Sequence, residues 1–184
     1  MKKSYDYFKT LKDLTHCVYT VYTKAVTNNE YKKAFIRFSG LKNELTDNLM
    51  DDFVTPLERG DIYNLSFCMH KELWQIDELY NYNSLTDIGS FLYVNQIGDL
   101  LHKQNEVIDL LFLTKNTERV SKSIDEGMSL CNSVKNRVLK NLRLSLKESE
   151  QPLIAYGLNC AYLALLETID ITFSELERIL IVKS

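Results

Sequence analysis

The sequence predicts an all-α protein built from six long antiparallel helices. Gly occurs 6 times and Pro twice in 184 residues, which is too few turn residues for a sheet protein. Apolar side chains recur at steps of three and four, the spacing that places them on one face of a helix. Short polar breaks divide the chain into six such stretches, most of them roughly 20 to 30 residues long. Helices of that length pack side by side along their whole length.

The first two predicted helices cover residues 5–25 and 31–49, and Thr27-Asn28-Asn29 separates them. Both stretches are amphipathic, with apolar side chains on one face. The predicted inward residues are Tyr5, Phe8, Leu11, Val18, Tyr22 and Ala25 in the first, and Tyr31, Ala34, Phe35, Phe38, Leu41, Leu45 and Leu49 in the second.

The third stretch has the strongest start signal in the chain. Thr55-Pro56-Leu57-Glu58 has the form of a capping box with Pro at the first helical position. In such a box the Thr55 hydroxyl accepts the backbone N–H of Glu58. We therefore expect the third helix to begin at Pro56 and to end near residues 81–83.

The remaining three helices follow the same pattern. The fourth is predicted from an N-cap at Ser84-Leu85-Thr86-Asp87 to about Leu113, and a break at residues 114–117 ends it. The fifth has apolar residues from Val120 to Leu142 on one face and basic residues on the other. The sixth begins near Pro152 and carries apolar residues as far as Leu180.

Length and composition point to one domain over residues 1–184, with halves at approximately 1–83 and 84–184. No uncharged apolar run is long enough to span a bilayer, and no apolar segment follows the basic N-terminus as in a secretory signal. We therefore expect a cytoplasmic protein. Its four cysteines are far apart in the sequence, so we interpret them as buried free thiols.

Charge is unevenly distributed along the chain. The net charge is −3, but residues 43–114 carry −10 and residues 115–147 carry +5. Two interpretations remain open: basic helices packed beside acidic ones, or an acidic surface for a basic partner or a metal. A negative chain without a basic, aromatic-rich run is not expected to bind nucleic acid. Since no nucleophile signature or nucleotide-binding loop is present, we expect no enzymatic activity and no catalytic residues.

Residues 53–65 read Phe-Val-Thr-Pro-Leu-Glu-Arg-Gly-Asp-Ile-Tyr-Asn-Leu. This segment resembles the signature of the PhoU-like family, which accompanies low-affinity (Pit-type) phosphate transporters, in the form Phe-x-Thr-Pro-x-Asp/Glu-Arg-x-Asp-Ile-x-x-Leu. The C-terminal Leu176-Glu177-Arg178-Ile179 and Lys183 are also similar. The resemblance implies two three-helix bundles and a cytoplasmic, non-enzymatic accessory or regulatory role in phosphate transport. It also implies docking to a phosphate permease or a phosphate-signalling protein, peripheral to the membrane at most.

The residues of this segment proposed to bind a partner or to carry the motif are Thr55, Pro56, Glu58, Arg59 and Asp61. For Arg59 and Asp61 two interpretations stay open. In the first, the two residues contact a partner or an anion, or Arg59 bridges to acids of the second helix such as Asp51 and Asp52. In the second, they belong to an ordinary exposed helix start.

Many members of the family bind iron, zinc or other divalent metals through Glu/Asp-x-x-x-Asp pairs on the bundle helices. By spacing from the motif, the equivalent positions here are Phe35 and Ser39, His70 and Trp74, Gly127 and Cys131, and Leu163 and Glu167. Almost every carboxylate is absent. We therefore predict that the metal clusters are lost and that no cofactor is bound, leaving His70 and Glu167 as weak candidate ligands.

Two other functions remain as alternatives. One is a helical protein that binds a divalent metal through a different ligand set, such as His70 with Glu167. The other is an unrelated helical dimerisation or interaction module. A homodimer is an expectation in either case, since the chain is rich in aromatic residues. The tyrosines proposed for such a surface include Tyr5, Tyr7, Tyr19, Tyr31, Tyr80 and Tyr82.

Overall fold

The computed structural model describes residues 5–26, 31–51, 55–84, 93–148 and 151–183. Within these ranges the regular secondary structure is entirely helical, which confirms the all-α prediction. The six helices are α1 (Tyr7–Val26), α2 (Lys32–Asp51), α3 (Arg59–Ser84), α4 (Val94–Leu113), α5 (Thr117–Glu148) and α6 (Pro152–Lys183). The predicted break at residues 27–29 lies outside the described residues. Of the predicted N-cap of the fourth helix, Ser84-Leu85-Thr86-Asp87, residues 85–87 also lie outside them, and Ser84 is instead the last residue of α3.

The start of α3 corrects the capping-box prediction. The helix begins at Arg59, not at Pro56, because the carbonyl of Glu58 is the one that accepts the first helical bonds, from the N–H groups of Asp61 and Ile62. The Thr55 hydroxyl donates to the carbonyl of Leu57 at 2.5 Å. Thr55 therefore closes a turn within its own segment, and residues 55–58 precede the helix.

Four helices, α1, α3, α4 and α6, form the middle of the structure. Helix α1 contacts α3 and α4, and α6 contacts the same two helices. Helix α2 lies against α1 and α3, while α5 lies against α4 and α6. Two contacts show the direction of neighbouring helices: Tyr7 in α1 donates to the carbonyl of Asn48 in α2, and Tyr82 in α3 lies against Gly157 in α6. Each joins the beginning of one helix to the end of the other.

Two glycines allow α6 to approach its neighbours closely. A Cβ atom at Gly127 in α5 would lie 2.4 Å from the ring of Phe173 in α6, and one at Gly157 would lie 2.6 Å from the ring of Tyr82. Phe173 is completely buried, so its ring has little room to move. Gly127 thus has a packing role at a position where the family resemblance implies a metal ligand.

Among the described residues, α6 is the one helix with the length and hydropathy to cross a membrane. The sequence analysis expected no such segment. Part of this apolar character serves the core, since α6 packs against α3, α4 and α5 and its residues Leu165, Leu166, Ile169 and Phe173 are buried. A core helix of a soluble bundle has the same composition.

The four cysteines are free thiols, as the sequence predicted. Cys17, Cys68 and Cys131 are buried, and Cys160 is half-buried. Burial raises the pKa of Cys131 to about 12 and that of Cys68 to about 11. These two thiols are therefore protonated and unreactive at neutral pH.

Candidate functional site

The motif segment is fixed to the rest of the molecule through Asp61. Its side chain is 2% exposed, and Oδ1 lies 2.6 Å from Nη1 of Arg178 near the end of α6. Arg178 also pairs with Glu175 at 2.7 Å, one turn earlier in α6. The first turn of α3 is therefore joined to the last turns of α6. The two segments that carry the family resemblance are in direct contact with each other.

The other motif residues lie on the surface. Pro56, Glu58 and Arg59 are exposed, and Thr55 is half-buried. Asp51, a proposed partner of Arg59, is exposed at the end of α2, and Asp52 lies outside the described residues. The motif therefore divides into a buried anchor, Asp61, and an exposed group that is open to a partner.

Three aromatic side chains form an exposed row on α3. Tyr63, Phe67 and Trp74 are 49%, 51% and 65% exposed. Their spacing of four and seven residues places them within a narrow arc of the helix. The rings of Tyr63 and Phe67 are stacked, with centroids 6.4 Å apart. We call these three residues the aromatic row; it begins inside the motif segment and runs along the outer side of the helix.

The aromatic row differs from the surface that the sequence analysis proposed for self-association. Tyr7 and Tyr31 are buried, and the other four proposed tyrosines are half-buried. Tyr31 donates to the carboxylate of Asp77 at 2.5 Å, and Tyr7 is bonded to Asn48. These rings fill contacts between helices. On α3, apolar residues lie on both the inner and the outer side of the helix. Helical periodicity therefore does not show which of its aromatic residues are buried and which are exposed.

Beside the aromatic row, a groove runs between α2 and α3. Phe35 of α2 and Trp74 of α3 line it, together with charged side chains of α3. His70 lies next to Trp74, one turn earlier in α3, with its ring stacked on Phe38 of α2 at a centroid distance of 5.8 Å. The structure therefore brings together Phe35, His70 and Trp74, three residues at the positions where the family has metal ligands.

His70 is contacted by two hydrogen-bond donors. Lys42 Nζ lies 2.8 Å from Nδ1, and Trp74 Nε1 donates to Nε2 at 3.1 Å. A neutral imidazole has one acceptor nitrogen, so it satisfies a charged Lys42 or Trp74, but not both. Partial burial and the neighbouring Lys42 lower the pKa of His70, and partial burial lowers the pKa of Lys42. The lowered pKa of His70 favours a neutral ring.

At the positions where the resemblance implies metal ligands, Phe35 and Trp74 have no ligand atom, and Lys42 Nζ lies next to His70 Nδ1. The carboxylates that line the groove are those of Asp77 and Glu78, and Asp77 accepts a hydrogen bond from Tyr31. Elsewhere, Cys131 donates its thiol to the carbonyl of Leu166, and Glu167 is exposed on α6. In the part of the chain that the structure describes, no three His, Cys, Asp or Glu side chains are close enough to hold a metal ion together. Loss of the metal clusters stays a prediction.

A buried carboxylate that the sequence analysis missed lies on the opposite side of α3. Glu72 is fully buried; it accepts bonds from Thr172 of α6 at 2.5 Å and from Gln104 of α4 at 3.1 Å. Burial raises the pKa of Glu72 to about 7, against the opposing effect of the two hydrogen bonds. The signal was in the sequence: Glu72 interrupts the buried stripe formed by Met69, Leu73 and Ile76.

No family model matches the chain, and no curated protein shows significant similarity to it. The main feature of the candidate site is therefore geometric: an exposed aromatic row beside a groove between α2 and α3.

Proposed function

We propose that this protein is a non-enzymatic, PhoU-like accessory or regulatory protein of phosphate transport. It docks to a phosphate permease, or to a phosphate-signalling protein, from the cytoplasmic side of the membrane. The observation that carries the proposal is the aromatic row of Tyr63, Phe67 and Trp74. The row starts within the thirteen residues that resemble the family signature and is exposed along the following turns of the same helix.

Large exposed aromatic side chains favour a role in protein binding. Monomeric proteins rarely leave such side chains aligned on one helix face, and Tyr and Trp provide much of the binding energy at protein interfaces. Lys71 and Glu78 are exposed on the same helix and supply the polar rim that such contacts have.

The helix that presents the row is rigidly held. The Asp61–Arg178 pair fixes its first turn, and the bonds of Glu72 to Gln104 and Thr172 fix its middle. A partner therefore meets a preformed surface, and binding does not require the aromatic side chains to be brought together first.

Capture of the partner from native membranes tests the proposal. The full chain, carrying an affinity tag, is incubated with mild-detergent extracts, and the captured proteins are identified by mass spectrometry. We expect a phosphate permease to co-purify. The variant Y63S/F67S/W74S should recover less than about one tenth as much, because several anchoring rings are lost at once.

The matched control removes three apolar side chains that are more exposed than the aromatic row and lie elsewhere on the surface. Met50, Leu113 and Ile181 are 80%, 81% and 68% exposed near the ends of α2, α4 and α6. The variant M50S/L113S/I181S should capture as much permease as the unmodified protein. The proposal is wrong if no phosphate permease or phosphate-signalling protein is captured, or if both triple variants behave alike.

A helical dimerisation module is the second candidate, because the aromatic row would also serve two copies of the chain. Sedimentation equilibrium at micromolar concentrations separates the two functions. A monomer mass favours docking to another protein. A dimer that the Y63S/F67S/W74S variant abolishes favours self-association.

A further inference from the structure

A second surface, at the connection between α5 and α6, has a different chemistry. The end of α5 carries four exposed cations, Arg137, Lys140, Arg143 and Lys147. At 100° per residue they fall on one outward face. Residues 127–147 contain no Asp or Glu, although Glu148 and Glu150 follow. Among the described residues no carboxylate forms an ion pair with these four side chains, so their charge faces solvent.

Exposed apolar side chains accompany these cations. Leu144 lies on the same face of α5 and is 43% exposed, and Leu153 and Tyr156 in the first turns of α6 are 84% and 45% exposed. Helix α5 ends at Glu148 and α6 begins at Pro152, so the two groups belong to one helical hairpin. We call the four cations with Leu144, Leu153 and Tyr156 the basic tip.

The basic tip is held in place by the interior of the bundle. Tyr93, which precedes α4 and has a left-handed backbone conformation with φ of 62°, is bonded to Asn141 of α5. Its ring meets that of Tyr162 of α6 edge to face at 5.3 Å. These contacts join α5 and α6 to the beginning of α4 beside the basic tip.

We propose that the basic tip binds the surface of a membrane that contains anionic lipids. Cations flanking exposed leucines and a tyrosine are the combination that lies at a lipid interface: the cations approach the phosphates, and the apolar groups enter the boundary with the acyl chains. Leu153 favours a lipid surface over an acidic protein, because an isolated, nearly fully exposed leucine gains nothing from a purely charged partner.

This inference does not depend on the identity of the transporter. It does agree with docking at a membrane, because Tyr82 at the end of α3 lies against Gly157 at the beginning of α6. The aromatic row therefore runs along α3 towards the end of the molecule that carries the basic tip.

Sedimentation of the full chain with vesicles tests the proposal. One set of vesicles contains phosphatidylcholine with phosphatidylglycerol, and the other contains phosphatidylcholine alone. We expect binding to the first set only, weakened by salt. The variant K140S/R143S/K147S should partition roughly 100-fold less, because each cation near an anionic surface contributes about a factor of five. The variant L144S/L153S should partition about tenfold less.

The control variant, K9S/K115S/K122S, makes the same change in net charge. These lysines are exposed at the opposite end of the molecule. Its binding should remain within about twofold of the unmodified protein, since distant charges are screened.

The proposal is overturned if the chain does not prefer anionic vesicles, or if the control variant and K140S/R143S/K147S lose binding equally. It is also overturned if the leucine variant binds unchanged, because the apolar side chains would then take no part in the contact with the lipid surface. Since no permease is present in the vesicles, failure here and failure of the capture experiment are distinguishable.

Discussion

Helix α3 holds two ionisable residues, two positions apart, in opposite ways. Glu72 faces α4 and α6 and is fully buried, with both carboxylate oxygens bonded to neighbouring helices. His70 faces α2 and is half-buried, and two donors compete for its single acceptor nitrogen. Both carboxylate oxygens of Glu72 are thus satisfied on the inner side of α3. On the outer side, His70 meets more donors than its ring can accept from.

The comparison separates residues that specify the fold from residues that are available for binding. A buried polar group must have its partners within the chain, because an unsatisfied group in the interior is costly. A half-exposed group can exchange a partner for water or for a bound protein at little cost. We therefore assign the inner side of α3 to stability and its outer side to docking.

The largest expected effect is on the pH dependence of folding through Glu72. Its pKa is raised from 4.5 to about 7 in the folded protein, so the folded state binds a proton more tightly than the unfolded state. Its contribution to stability is complete below the unfolded pKa and is lost as the pH rises from 4.5 to about 7. This loss amounts to roughly 3 kcal/mol. Urea denaturation of the unmodified protein and E72Q at several pH values measures it.

The E72Q variant should lack this slope, because its side chain is neutral throughout. Gln104 Oε1 is buried without a partner and can accept the new amide after rotation of the Gln104 side chain. The matched control is E78Q, at an exposed carboxylate of the same helix. The difference between E72Q and the unmodified protein isolates Glu72 from the other carboxylates. A constant difference between the two proteins across this range would contradict the prediction.

The second effect concerns the anchor at the beginning of α3. D61A removes the buried partner of Arg178, and we expect the free energy of unfolding to fall by about 2 kcal/mol. Arg178 is 43% exposed and keeps Glu175, so the remaining cation is hydrated and the cost stays moderate. Double-mutant analysis with R178A should give a coupling of about 1 kcal/mol.

The exposed neighbour Glu58 supplies the control for this anchor, and E58A should change stability by less than about 0.5 kcal/mol. If D61A is as stable as E58A, the ion pair does not fix α3. Amide hydrogen exchange should locate the effect of D61A in the first turns of α3 and the last turns of α6.

Much of the fold could be predicted from the sequence, because it depends on periodic burial. The apolar stripes placed all six helices, and residues such as Leu11, Leu45 and Leu165 are buried as their spacing indicates. The start of α3 could not be predicted in this way. Thr55-Pro56-Leu57-Glu58 satisfies a local capping rule, but the observed start at Arg59 agrees with a tertiary contact, the Asp61–Arg178 pair, between residues far apart in the chain.

The candidate site was less predictable, and Trp74 shows why. Spacing from the motif placed Trp74 where the resemblance implies a metal ligand, and it did not indicate that the side chain would be 65% exposed. Residues with this spacing face α2 or solvent depending on how α3 is rotated about its own axis. That rotation is set by packing against the neighbouring helices, so the spacing alone does not give it. The contact between Lys42 and His70 could not be predicted either. Packing decides which residue of α2 meets which residue of α3, and no sequence pattern gives that pairing.

The smallest effect lies on the outer side of α3 and concerns the pKa of His70. Partial burial of the ring and the neighbouring Lys42 cation both lower this pKa from its usual value of 6.5. The variant K42M should raise it again but leave it below 6.5, because burial between α2 and α3 is the larger cause and remains. Titration of the His70 ring proton by NMR measures the change directly.

Lys71, an exposed lysine on the same helix, provides the matched control, and K71M should leave the His70 titration unchanged. An unaltered pKa in K42M would mean that Lys42 does not contact the ring. His70 and Glu72 change the free energy of unfolding with pH in opposite directions. Because the pKa of His70 is lowered in the folded state, its protonation favours unfolding as the pH falls below 6.5. Protonation of Glu72 favours folding over the same range. Because the ring is half-buried, its contribution should be the smaller of the two, and the protein as a whole should follow Glu72.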